Sequence, residues 1–140
     1  MKKSIIVALA CLAFFGCSDG KKQEKALLDS VITIHDKVMS KDGKLMDNKM
    51  KLDTLLKTKI AGTDTAQTMA MMMGLSVKLT NAEDAMEQWM QKFDPEQKGK
   101  SHEQIMSYLS DQKNQVTGID SEMVEAINLS NNFLSQPKKP

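Results

Sequence analysis

Few side chains in this sequence have chemistry to offer, and most of those are imidazoles and thioethers. His35 and Met39 stand four residues apart, as do His102 and Met106, so on helices each pair shares a face. Met86, Trp89 and Met90 follow one another at helical spacing. Imidazole with thioether ligands is a soft donor set that suits Cu(I). The plainer reading is packing, because methionine is a flexible core filler. The dense run Met69-Ala70-Met71-Met72-Met73 points around a helix and does not converge on one ion. No zinc-spaced Cys/His cluster, phosphate loop or Ser-His-Asp arrangement is visible. No residue is therefore expected to be catalytic, and the chain is not expected to be an enzyme.

Cys17 is the other reactive group. Lys2 and Lys3 precede an apolar run from Ile5 to Phe15, and Gly16-Cys17 follows, which is the order of a secretory signal. The run is about half the roughly 20 residues that span a bilayer as a helix. Phe14-Phe15-Gly16-Cys17 resembles the lipobox of bacterial lipoproteins, with Phe14 where Leu is usual. That resemblance implies cleavage after Gly16, then a diacylglycerol and a fatty acyl group on Cys17. Cys11 leaves with the signal, so Cys17 has no intramolecular disulfide partner. Several acyl chains, at about 0.8 kcal/mol per buried methylene, make a lasting anchor. The reading is a cell-envelope protein held to a membrane by lipid, at the outer membrane rather than the inner.

All 19 basic residues are lysines, set against 18 acidic ones. Arginine, the bidentate reader of phosphates and bases, is absent. With a balance near zero and few aromatics, nucleic acid is not an expected partner.

The elements that must position these groups read as helices. Residues 1–16 are a signal peptide, 17–23 a lipidated cysteine and tether, 24–135 a three-helix bundle, and 136–140 a disordered tail. No stretch alternates with period two long enough to propose a strand. Helix one is predicted over about 24–59, where Leu27, Val31, Ile34, Val38, Leu45, Leu52 and Leu55 form a stripe interrupted by Lys41 and Asn48. Helix two, over about 65–93, follows Gly62 and an Asp64/Gln67 capping box. Its stripe of Met72, Leu75, Leu79, Ala82, Met86, Trp89 and Phe93 has no polar break, and Asp94-Pro95 stops it. Helix three, over about 101–134, opens on a Ser101/Gln104 capping box and has Gly118 near its middle as a weak point. The 3-4 spacing predicts an all-α, elongated antiparallel bundle of coiled-coil type, with little room for a deep pocket.

Antiparallel packing about Gly62 sets His35 level with Met90, and Met39 with Met86. A second turn near residues 94–101 sets Met90 level with Ile105 and Met106. His35, Met39, Met86, Trp89, Met90 and Met106 would share neighbouring layers with His102 about one turn away, as a binding or metal cluster or as core. Met39, Met46 and Met50 beside the first stripe, with Met71 and Met73 on helix two, offer an apolar surface for a protein partner or a second copy. Lys41 and Asn48 would set register or oligomer state.

Three stretches resemble a family. His35-Asp36-Lys37-Val38-Met39 with Lys41, Gly43 and Met46 is similar to the first-helix motif of small lipoproteins from Bacteroidota. Met86 to Pro95, a Trp-Met pair running into Phe-Asp-Pro, resembles their second motif, and Tyr108-Leu109 with Gln112-Lys113 their C-terminal part. Some members carry the label "viral A-type inclusion protein", which reflects coiled-coil similarity and not a function. The resemblance covers most of 27–134 and departs at Ser40 and Asp42, where the family pattern has Pro and Met. It implies a lipid anchor and a helical fold, and it assigns no catalytic residue.

Overall fold

The structure is a computed structural model that describes residues 16–59 and 66–136. Four helices appear in order: α1 (Gly16–Met39), α2 (Asp42–Lys59), α3 (Ala66–Lys92) and α4 (His102–Leu134). Among the described residues there is no strand, and the chain forms an all-α bundle. The signal segment up to residue 15, the Gly62 turn, Asp64 and the last four residues lie outside the described residues.

The stripes read from the sequence are the core. Val31, Val38, Leu45 and Leu52, each seven residues from the last, are fully buried. Met72, Leu79 and Met86 repeat that interval on α3, and Leu109, Val116 and Met123 repeat it on α4. Ala82, Trp89, Ala126 and Ile127 complete the buried set. α4 packs along α1, α2 and α3, and α2 packs against α3. Among the described residues no helix is long and apolar enough to cross a membrane.

Two boundaries differ from expectation. Helix one is two helices, because the backbone tightens at Ser40-Lys41. There the Lys41 N–H donates to the Val38 carbonyl at 2.9 Å, and the Lys44 N–H donates to the Lys41 carbonyl at 3.0 Å. These i−3 bonds mark a tight turn, and Asp42 and Gly43 are both poor helix formers. The stripe survives the turn, since Val38 and Leu45 are both fully buried.

The second difference lies at the start. Residues 17–23, read as a tether, belong to α1, which begins at Gly16. Gly20 explains how α1 continues there against α4: a Cβ added at this position would lie 3.3 Å from His102 Nδ1. One turn on, Glu24 meets the same imidazole, its Oε1 2.7 Å from Nδ1.

α4 behaves as the sequence predicts at its N-terminus. Ser101 accepts the Gln104 N–H and Gln104 reaches back to the Ser101 N–H, a complete capping box. The helix runs unbroken through Gly118, where buried Val116 and Met123 on either side offset a glycine cost of about 1 kcal/mol.

Candidate functional site

His35 lies on α1 where that helix meets α3. Its Nε2 is 3.4 Å from Met90 Sδ, the pairing expected from packing about Gly62. Its ring is the first of a column. The centroid distances are 5.8 Å from His35 to Trp89, 4.7 Å from Trp89 to Phe93 and 6.3 Å from Phe93 to Tyr108, with interplanar angles of 31°, 19° and 13°. Three elements contribute, so the column ties α1, α3 and α4 together, by a tilted contact at His35 and stacked ones beyond it. The Tyr108 hydroxyl closes it by accepting the Asp94 N–H at 2.8 Å.

Asp94 also shapes the connection to α4. Its Oδ1 accepts the Glu96 N–H at 3.0 Å and the Gln97 N–H at 3.4 Å, a side chain capturing the backbone just beyond it. Gln97 and Gly99 take positive φ, 46° and 76°. Gln97 is buried and donates its amide to the Asp94 carbonyl at 2.8 Å. The Asp-Pro motif is therefore a structured elbow as well as a helix stop.

The seven candidates do not form one cluster. His35, Trp89 and Met90 are in mutual contact, and Met86 is buried one turn before Met90. Met39 stands one turn after His35 and is 39% exposed. His102 is instead beside Glu24, eleven residues before His35 on α1, about 16 Å along the helix at about 1.5 Å per residue. Met106 travels with it. The expected level of Met90 with Met106 is thus corrected: Phe93 meets Tyr108 and Lys78 meets Glu125, a register that sets Met90 about level with Asp111. The physical reason is the elbow. It lets α4 begin beyond the end of α3, so its first turns pack beside the start of α1.

The two polar residues of the first stripe are matched from α4. Lys41 bonds Asp120 Oδ1, and Lys37 bonds Asp120 Oδ2 at 2.8 Å. Burial disfavours the Asp120 charge, but the bonds from Lys37 and Lys41 outweigh it and hold the carboxyl below its usual range. Asn48 is buried and donates its amide hydrogens to Ser130 Oγ at 2.7 Å and Asn131 Oδ1 at 3.0 Å. On the other side of the stripe Lys49 meets Glu83 at 2.6 Å, a bond that raises the ammonium above its usual range. Sequence reasoning flagged Lys41 and Asn48 but missed their partners. Ser130 and Asp120 lie on α4 with no motif around them that marks them as those partners.

Among the described residues no three His, Cys, Asp or Glu side chains converge as a hard or borderline metal site. Comparison with known proteins gave no matching family model, no similar curated protein and no similar solved structure.

Proposed function

We propose that this chain is a cell-envelope lipoprotein, anchored through acyl chains on Cys17, whose bundle serves as a non-catalytic binding or structural module of the Bacteroidota lipoprotein kind. The bundle is antiparallel and of coiled-coil type in this reading. Two sets of contacts support that topology. Along α1–α2 and α3, His35 meets Met90, Lys49 meets Glu83 and Asp53 meets Ser76, so one number rises as the other falls. Along α1–α2 and α4, Glu24 meets His102, Lys41 meets Asp120 and Asn48 meets Ser130, so both rise together. The strict seven-residue interval of the buried stripes suits a left-handed supercoil.

The observation that carries the module reading is the apolar surface left outside this core. Ile32, Met39, Met46 and Met50 on α1–α2, with Met71, Met73 and Val77 on α3, are 36–59% exposed. Thioethers of this kind adapt to varied partners, and the lipid anchor would hold the surface close to other envelope components. The polar stripe residues are engaged within the chain, so they set internal register and leave partner choice to this methionine surface.

Expression in a diderm bacterium tests both parts. Wild-type chain should sediment with membranes as a processed band, and Cys17→Ser should accumulate as a precursor. Chemical crosslinking on intact cells should give adducts that Met46→Lys with Val77→Lys removes. A wild-type band that is unprocessed overturns the anchor, and adducts indifferent to the double substitution overturn the surface.

A further inference from the structure

The contact between His35 and Met90 brings an imidazole nitrogen and a thioether sulfur, two soft metal donors, face to face. His35 Nδ1 lies 3.0 Å from Asp36 Oδ1. A carboxylate oxygen only accepts, so the ring's hydrogen belongs on Nδ1. In the neutral imidazole Nε2 is then a bare lone pair, and it faces Met90 Sδ at 3.4 Å. A thioether sulfur likewise has only lone pairs to offer. With the hydrogen on Nδ1 two acceptors confront one another, and with it on Nε2 the ring donates to the sulfur. In the Nδ1–H tautomer a cation shared by nitrogen and sulfur turns this contact from repulsive to attractive.

A shared cation fits the distance. Metal bonds of about 2.0 Å to nitrogen and about 2.3 Å to sulfur would close the 3.4 Å separation at about 104°, near tetrahedral. We propose that His35, Met90 and Met39 form a binding site for a soft monovalent cation, Cu(I) or Ag(I), beside Trp89. Met39 supplies the third donor because it shares the His35 face one turn on. Met39 and Met90 are 39% and 40% exposed, so an ion reaches the sulfurs without opening the core. The two thioethers select soft Cu(I) or Ag(I) over zinc or magnesium, since zinc binds imidazole but favours thiolate or carboxylate partners and magnesium favours oxygen. Asp36 fixes the ring orientation from behind, as carboxylates do for metal-bound histidines. The Trp89 ring centroid lies 5.8 Å from that of the imidazole, so the indole is next to any ion that His35 holds. This inference rests on the α1–α3 contact alone and is independent of lipidation.

Trp89 is the only tryptophan, so its fluorescence reports the site directly. The experiment uses the full chain in detergent carrying Cys11→Ser and Cys17→Ser, which removes both thiols as competitors. Cu(I) is titrated anaerobically at pH 7.5 against a competing chelator, with Ag(I) in parallel. One equivalent should quench Trp89. His35→Ala and Met90→Leu should each weaken binding by at least about 100-fold, and Asp36→Asn by about 10-fold, the scale of losing an outer-shell partner. His102→Ala should change nothing, since it stands outside this contact. Met90→Leu preserves volume, so it decides the matter if His35→Ala unfolds. Absence of binding, binding without Trp89 quenching, or affinity unmoved by Met90→Leu would each overturn the site.

Discussion

Asn48 is where the stripe trades stability for register, and its replacement by leucine has a calculable outcome. The side chain is 1% exposed, and its Oδ1 has no hydrogen-bond partner. Asn48→Leu forfeits two short bonds, to Ser130 and Asn131, worth about 1 kcal/mol each net. It also removes a buried orphan oxygen that costs about 1–3 kcal/mol. Burying a leucine side chain contributes about 1.5–3 kcal/mol more. What is left behind is tolerable. Ser130 Oγ still donates to the Ala126 carbonyl at 2.8 Å, and Asn131 is only half-buried and can turn to water. The terms sum to a gain of about 0.5–4 kcal/mol, centred on about 2 kcal/mol, as expected when a polar seam residue gives way to an apolar one. With a urea slope of about 1.5 kcal/mol per M, the unfolding midpoint followed by helical circular dichroism should rise by about 1 M. A midpoint that falls by more than about 0.5 M would refute this ledger and make Asn48 a net stabiliser.

Three further outcomes follow from the same contacts. Asp120→Asn leaves Lys41, 22% exposed at its side chain, without its carboxylate, and should cost about 1–3 kcal/mol, less than the 3–5 kcal/mol of a fully buried pair. Because the Asp120 carboxyl is held below its usual range in the folded chain, its contribution is complete above that range and lost as pH falls through the lowered value. Wild type should therefore lose stability on acidification below about pH 4 more steeply than Asp120→Asn, and parallel acid titrations would show the two curves converging. Ser101→Ala removes the α4 capping box and should cost about 1 kcal/mol in the same denaturation assay.

Most of the fold was legible because the buried positions repeat every seven residues and nothing in the composition competes with helix. The predicted ends of helices two and three lie within a residue of α3 and α4. What escaped the sequence was local or long-range. The Ser40-Lys41 turn interrupts hydrogen bonding without interrupting the stripe, so a hydrophobic pattern cannot see it. Residues 17–23 read as a tether, whereas Gly20 lies against His102, a contact that only the α1–α4 register reveals. The His35–Met90 contact was readable from a level count across one turn. Placing Met106 beside it failed because the elbow at Asp94 to Gly99 shifts α4 by more than a turn, and its positive-φ glutamine has no sequence signature.

The most direct test of the account is the intact mass of the chain purified from membranes. A mass equal to residues 17–140 plus a diacylglycerol and an amide-linked acyl group is the result the account predicts. A chain that retains residues 1–16, or one cut elsewhere with Cys17 unmodified, would contradict it.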